Sequence, residues 1–506
     1  MRRRRFLATL GAGLPLLSGC GSTGTDGSPS DSQTASPTPT ATPSEPPSDL
    51  VTFEEGSGWI GPGSLVELET IPRTYVLSTQ RYRADDGGEV RLKFDRTATA
   101  DHPARLVASL QNTDRFREEF ELDWLTPFGR TASERPHAQG ERRTSAGVSH
   151  ADSLVFAPTP NHDLVDDPPA VERDEDGLWR LSAEPTRWQP ETVVLEPGEA
   201  IRGEYAVVGH PEGTGRPTGV YEFVRGQAEP LQLTVWNTEA PGPAESSRFS
   251  GESVPALAEG EDESGVAWFH EADETTPTFV RPSTERAELP AGVTFRFINH
   301  SRETLGCGHW TLYKLHDGTW YSLGPLFRLA ICYQVGPGGT DAWKLELYNG
   351  DGIDGNQSSD EQTFDFLGGG RYGAVVGFGH KTGRSAAMVD LVGDPIEIVP
   401  TDDAEPERSN GRVTVTTPHW HDDEREQVRL RLTRTDSADR TRIREQVMLQ
   451  RYRGLRNTLA FLEADVEEVV LRTSDTVVDR AVGFDRQRAR YRIDGQAYEL
   501  TVEPAE

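Results

Sequence analysis

The densest group of residues able to do chemistry is His419, His421, Asp422, Asp423 and Glu424, in the run PHWHDDERE. Imidazole and carboxylate together offer borderline and hard ligands to a divalent ion. Alternation in a strand would put His419 and His421 on one face, as a metal pair needs. No distant third ligand is identifiable and acidic surface loops are this chain's habit, so the group reads first as solvated surface. Second, it reads as a metal site of His419, His421 and Asp422, the centre of an extracytoplasmic metal-binding protein or metal-dependent hydrolase. Cys307, His309 and Cys332 are donor types for copper or zinc. A copper electron-transfer site also wants a second histidine and a weak axial methionine, and beyond Met1 the chain has only Met388 and Met448, neither near them. NGDGIDGNQSSDEQ is rich in hard oxygens, but Ile353 and Asp354 break the spacing of an EF-hand, leaving a solvated connection or an opportunistic calcium site. GFGHKTG has His380 where a phosphate loop has glycine, and GVSHA lacks the closing glycine of a nucleophile elbow, which leaves Ser149 without a role. No catalytic constellation survives. The expectation is a binding protein, not an enzyme, with no cofactor.

The chain opens MRRRRFLATLGAGLPLLSGC: arginines, a short apolar stretch, then small residues before a cysteine, which is the order of a signal peptide. The apolar part is about half of the ~20 residues a spanning helix needs. Arg3, Arg4, Phe6 and Leu7 resemble the twin-arginine export motif, and Leu17-Ser18-Gly19-Cys20 resembles a lipobox. Those resemblances imply export in a folded state, a diacylglyceryl group on Cys20 and cleavage just before it. The alternative is a secreted protein in which Cys20 is incidental. The Ser/Thr/Pro tract that follows cannot bury enough apolar surface to order itself and reads as a disordered tether, extending about 3 Å per residue. In an exported chain Asn299 and Asn356 match the N-glycosylation sequon. Outside the cytoplasm Cys307 and Cys332 suggest one disulfide whose loop closure contributes ~3 kcal/mol, the alternative being two buried thiols.

The formal net charge is −30, and Lys93, Lys314, Lys344 and Lys381 are the only lysines in 506 residues. Acid excess with scarce lysine resembles the proteins of extremely halophilic archaea, where a Debye length of about 3 Å at 1 M salt removes the self-repulsion. The same charge argues against nucleic acid as a partner and disfavours an acidic substrate.

Positioning these residues falls to a mainly β chain of two or three domains. From Val51 short apolar alternations are separated by Gly, Pro, Asp and Asn clusters. RLVASLQNTDRFREEFEL alternates on both sides of Asn112, Thr113 and Asp114 like a hairpin, and VVLEPGEAIRGEYAVV places Pro197-Gly198 between two runs. The order of strand, Asn turn, strand, Pro-Gly turn, strand and Gly-Tyr strand then recurs, which points to tandem β-sandwiches. Residues 266–400 resemble the immunoglobulin-like domains of bacterial and archaeal surface lipoproteins. The residues that carry this are Asn299-His300-Ser301, Trp310 to Lys314, Asp317-Gly318-Thr319-Trp320-Tyr321, Pro337-Gly338-Gly339 and Arg371-Tyr372-Gly373. Residues 51–240 depart from it, the nearest match to the D-G-x-W-Y hairpin being Asp176-Gly177-Leu178-Trp179-Arg180 after an insertion that starts near Gly129. Trp310, Trp320 and Tyr321 read as core ahead of a binding patch. The organisation is a signal peptide (1–19), a tether (20–50), a first sandwich (51–240), a linker (241–265), a second sandwich (266–400) and a small α+β domain (401–506). In the last, Ile443, Val447, Leu455, Leu459, Leu462 and Val466 recur at helical spacing interrupted at Gly454, and Asp494-Gly495 is a hairpin signal. The resemblance implies a lipid-anchored protein on the outer face of the cytoplasmic membrane, its sandwiches recognising an envelope polymer or another exported protein.

Overall fold

Runs such as Ala104–Asn112 and Ala291–Asn299 alternate apolar and polar side chains, which lays one face of a strand on a core and leaves the other to a second layer or to solvent. With Gly, Pro and Asn between the runs the chain builds sheets: in this computed structural model 45% of residues are strand and 9% helical. The structure describes residues 50–52, 64–84, 87–140, 150–225, 228–257, 265–306, 308–325, 334–352, 358, 360–379, 383–421, 425–484 and 486–505. The chain divides into two units, Met1–Pro46, which lies outside the described residues, and Pro47–Glu506. Among the described residues no helix is long and apolar enough to cross a membrane.

The second unit carries two β-sandwiches in succession. In the first, a sheet ordered Leu65–Glu67, Arg73–Leu77, Ala228–Asn237, Gly219–Arg225 shares a core with a seven-stranded sheet centred on Gly88–Arg96, Ala104–Asn112 and Ala200–Gly209. In the second, Thr278–Pro282, Ala291–Asn299, Thr340–Leu347 and Glu361–Phe364 pack on a six-stranded sheet that includes Trp310–His316, Gly370–Val376 and Ser385–Val392. Trp310 and Trp320 are buried and Tyr321 is half-buried against the core, so these aromatics pack as core residues of a sandwich.

One set of side-chain devices is used twice. Asn112 and Asn299 each donate Nδ2 to the carbonyl four residues on, Phe116 at 2.7 Å and Glu303 at 2.8 Å. Each also donates to the carbonyl two residues before a Pro-Gly turn, Leu195 and Val335, both at 3.0 Å. The turn's own N–H, of Gly198 or Gly338, donates back to the asparagine carbonyl at 3.0 and 2.7 Å. The register agrees too, Ala200 standing opposite Gln111 as Thr340 stands opposite Ile298. Tyr221 and Tyr372 donate their hydroxyls to the carbonyls of Pro217 (2.7 Å) and Gly368 (2.6 Å), each four residues earlier, a tyrosine corner of the kind β-sandwiches use to fix a crossing between sheets.

Several local expectations change. Ala104–Asn112 and Glu118–Glu121 are not a hairpin, because Asn112 arches the chain away and Glu118–Glu121 pairs with Thr192–Leu195 in a separate sheet. The Asp176-Gly177 hairpin joins the seven-stranded sheet by a parallel contact of Arg180 with Gly209, whereas the Asp317-Gly318 hairpin lies beside Gly370–Val376. In the first sandwich the edge of Gly219–Arg225 carries, among the described residues, an isolated bridge from Val220 to His137 and a hydrogen bond from the Glu134 N–H to the Glu222 carbonyl. The presumed linker is not free over its described part: Phe249 is buried under the Arg371 guanidinium, and the N–H of Arg248 donates to Glu285.

The C-terminal domain is a seven-stranded sheet in the order Glu405–Ser409, Arg412–Thr416, Glu468–Ser474, Gln427–Thr435, Gln496–Pro504, Arg488–Ile493, Arg440–Thr441. Part of the acidic break after Val399 is thus its edge strand. The 443–466 run breaks at Leu449, whose backbone is extended, and Gly454 lies inside the helix Arg453–Leu459. A third helix, Asp475–Val482, lies between the strands expected there and buries Val478, Ala481 and Val482, apolar residues at helical spacing. Asp494-Gly495 turns the expected hairpin. Helix Arg444–Met448 reaches the second sandwich through Glu445, which is buried and ion-paired to Lys314 of strand Trp310–His316.

Candidate functional site

Two outward sheet faces, one from each sandwich, enclose an open cleft of about 910 Å³. Alternation dictates its lining. In the first sandwich Tyr75, Leu77, Tyr221 and Leu233 point into the core, which turns Val76, Ser78, Val220, Glu222, Gln232 and Thr234 toward the cleft. In the second, Phe295, Trp343 and Leu345 point inward and Arg296, Thr294 and Lys344 outward. Register completes the wall: Arg281 stands opposite Arg296, and Thr294 opposite Lys344.

The seam below the cleft is closed by residues 137–140 and the turn at Pro337-Gly338. Gln139 donates Nε2 to the Gly338 carbonyl at 2.9 Å, and Arg281 and Arg296 each donate one Nη2, at 3.1 Å, to the carbonyls of Gln139 and Gly140. Gly140 sits at φ +82°, in the left-handed region that favours glycine, and a Cβ there would displace the Arg296 guanidinium. Gly338, at φ +68°, abuts the first sandwich, a Cβ there falling 3.1 Å from Thr234 Cβ and 3.3 Å from Trp236. The His300 ring stacks on Trp236 at 5.0 Å, with its nitrogens 2.6 Å from the Pro241 carbonyl and 2.8 Å from the Gln139 amide oxygen. Only an imidazolium satisfies two acceptors, yet burial outweighs the Pro241 carbonyl and holds the ring's pKa down to about 4. The two demands compete at the seam.

The cleft's charges are unevenly balanced. Glu222 accepts from Gln232 at 3.0 Å and faces His137 Nε2 at 3.4 Å. No described carboxylate pairs with Arg281, Arg296 or Lys344. Burial first, then the neighbouring Arg281, lowers the pKa of Arg296, against the opposing attraction of Asp341. Two guanidiniums and an ammonium therefore line one wall with no ion pair to a described carboxylate, Asp341 attracting Arg296 without pairing to it and Glu222 and Glu245 also belonging to the lining.

The residues singled out from sequence lie elsewhere. His419 and His421 sit on a single 3-10 turn, Pro418–His421, and not on a strand, so residues two apart do not share a face. His421 is exposed, and among the described residues no metal-like grouping includes either ring. Asn299 is fully buried with its Nδ2 committed to three carbonyls, Glu303, Val335 and Gly336. It caps a turn and is not a glycan acceptor in the folded chain. Asn356, Asp422, Cys307, Cys332, Cys20, Arg3, Arg4, Phe6 and Leu7 lie outside the described residues.

Sequence reasoning missed the cleft and one metal-like grouping, Glu184, His210 and Glu212, whose ligand atoms lie within 4.8 Å of one another. The Glu212 N–H donates to His210 Nδ1 at 3.3 Å, so the neutral ring carries its proton on Nε2, which faces Glu184 at 3.0 Å. That tautomer presents no lone pair to a metal, and the guanidinium of Arg180 lies against the His210 carbonyl at 3.4 Å. The grouping is a hydrogen-bonded loop anchor.

No family model matches the chain, and no curated protein does. Among solved structures it is similar to Pseudomonas fluorescens alkylpurine DNA glycosylase AlkC bound to DNA containing an abasic site analog, at 12% identity over 23% of this chain and 30% of that one, TM-score 0.15. A polysaccharide lyase matches at 12% identity over 63% and 35%, TM-score 0.14, and red sea bream transglutaminase at 10% over 62% and 32%, TM-score 0.13. The chain spans about a third of the length of each of these. Likenesses this shallow carry nothing about activity.

Proposed function

We propose that this chain is a non-enzymatic binding protein, held at the outer face of the cytoplasmic membrane by a lipid on Cys20 and presenting its tandem sandwiches to an envelope polymer or another exported protein. The observation that carries the binding role is the cleft between the sandwiches, whose polar side chains converge on a space of about 910 Å³. Large concave sites with a few convergent polar groups are the usual form of a binding site. The anchor rests on the lipobox-like Leu17-Ser18-Gly19-Cys20, the export route on Arg3, Arg4, Phe6 and Leu7, and the halophilic setting on the acid excess. Immunoglobulin-like character is supported by the paired asparagine caps and tyrosine corners. A Cys307–Cys332 disulfide rests on the presence of these two cysteines in a chain read as exported.

Fractionation of cells carrying the wild type and Cys20→Ser tests the anchor: the wild type pellets with membranes and the variant is released. A Cys20→Ser protein that remains wholly in the membrane fraction refutes the lipid anchor. A photo-crosslinking residue at Gln232, in the cleft wall, tests binding in intact cells, and absence of any adduct beyond that of an exposed position such as Arg408 refutes it.

A further inference from the structure

Like charges directly opposite on neighbouring strands repel. Several arginines on the sheet faces are matched by carboxylates, Arg371 by Asp390 and Glu252, Arg431 by Glu468 and Glu503, Arg490 by Glu499, while others such as Arg434 donate to backbone carbonyls. Arg281 and Arg296 face each other across the ladder with no described carboxylate between them, in a chain with 82 acidic residues against 52 basic. Each is fixed by one Nη to a backbone carbonyl, which orients the guanidinium and leaves its other N–H groups uncommitted to any described carboxylate. Lys344, exposed, lies one register step along the same wall. Such an arrangement is a preorganised receptor for carboxylate or sulfate. A local rule broken without a compensating partner inside the protein is expected where a ligand supplies it.

The rest of the lining narrows the ligand's body. Around the cations stand Ser283, Thr294, Thr340, Gln232 and Thr234, hydroxyl and amide groups suited to a hydroxyl-rich molecule. The volume lies toward the upper end of the range for small-molecule pockets, and the cleft is open to solvent, as a site gripping part of a longer chain must be. We propose that the cleft binds a segment of acidic polysaccharide, its carboxylates or sulfates held by Arg281, Arg296 and Lys344 and its hydroxyls by the flanking polar side chains. This rests on the binding role proposed above and specifies the ligand class. Glu222 and Glu245 in the lining oppose such a ligand locally, and the chain-wide acidity opposes it at long range. At 1 M salt, with a Debye length of about 3 Å, that long-range repulsion is screened while contact pairs survive.

The full-length protein is titrated by calorimetry in 1 M KCl with polygalacturonate, dextran sulfate and neutral dextran. At least one polyanion binds and neutral dextran does not; the two polyanions distinguish carboxylate from sulfate as the preferred group. Arg281→Gln/Arg296→Gln weakens binding at least tenfold. Because those arginines also hold residues 139–140, Lys344→Gln serves as a second variant and weakens binding severalfold with the fold intact by circular dichroism. Arg408→Gln, whose wild-type side chain pairs with Glu463 in the C-terminal domain, leaves binding unchanged. Equal binding of neutral dextran, or full affinity in both the double-arginine and the lysine variants, overturns the proposal. So does failure of the folded wild type to bind either polyanion; an adduct at Gln232 in cells would then leave the binding role standing with a different ligand.

Discussion

Replacing Lys314 by Met strands a buried carboxylate. Lys314 and Glu445 are ion-paired with side-chain exposures of only 8% and 7%. Nζ also donates to the carbonyls of Gly368 (3.3 Å) and Gly369 (3.1 Å), while Glu445 Oε1 accepts the Gly368 N–H at 3.3 Å. In Lys314→Met the Glu445 charge keeps only that one donor among the described contacts, and removing one partner of a buried pair costs about 3–5 kcal/mol. Glu445→Gln costs less, about 1.5–3 kcal/mol, because the amide still accepts from Gly368 and the ammonium keeps two carbonyls. Lys314→Met/Glu445→Leu, which removes both charges, returns to within about 1 kcal/mol of the wild type or exceeds it. The pair joins helix Arg444–Met448 to strand Trp310–His316, so the loss appears as opening between the C-terminal domain and the second sandwich. Native-state proteolysis across a urea series reads it, and the cost persists from 0.1 to 3 M KCl because burial shields the pair from screening. Single variants each costing under about 1 kcal/mol, or a double variant as unstable as the sum of the singles, would refute the reasoning.

Further outcomes follow from other contacts. Gly338→Ala loses about 2 kcal/mol, from the left-handed backbone and the contact with Thr234, and loosens the seam, measured as faster amide exchange at residues 137–140. Asn299→Ala removes the side-chain donor from the carbonyls of Glu303, Val335 and Gly336, the last of which keeps the Gly339 N–H, and lowers stability by about 3 kcal/mol in denaturant unfolding, whereas Asn299 carries no glycan by peptide mass analysis. His162 is buried, its Nδ1 accepting the Leu164 N–H at 3.1 Å and its Nε2 donating to the Tyr205 hydroxyl at 2.8 Å, and burial lowers its pKa to about 4. The unfolded chain, with an imidazole near 6.5, binds the proton first. The stabilisation is therefore complete above pH 6.5 and about 3 kcal/mol of it is lost as pH falls to 4, a slope that His162→Phe flattens in unfolding followed between pH 4 and 7.

Turn chemistry made the fold readable. Asn112 and Asn299, the Pro-Gly turns after Leu195 and Val335, and the Gly-Tyr strand starts act through hydrogen bonds a few residues away or to a turn that always follows, so their order in the chain announces the sandwiches. Pairing between distant strands has no such local signature. Glu118–Glu121 alternates as a hairpin partner should, yet joins Thr192–Leu195, because the asparagine cap sends the chain across to another sheet. The cleft was hidden for the same reason. Arg281, Arg296 and Lys344 meet only through the register of three strands, and net charge, a property of the whole surface, says nothing about one wall. One signal was available: scarce lysine makes Lys344 conspicuous, and Arg281 and Arg296 occupy polar positions of strands flanked by apolar ones. His419 and His421 misled because histidines two apart share a face only in a strand, and Pro418 opens a 3-10 turn there.

The central claim is that the cleft between the sandwiches is where this protein binds. A photo-crosslinking residue at Gln232 of the lipid-anchored chain, activated in intact cells, tests it most directly. The account predicts one dominant adduct that disappears in Arg281→Gln/Arg296→Gln and is missing when the crosslinker is moved to Arg408. No adduct beyond the Arg408 background would contradict it, whereas an adduct indifferent to the two arginines would overturn the proposed ligand class and leave the cleft as the binding place.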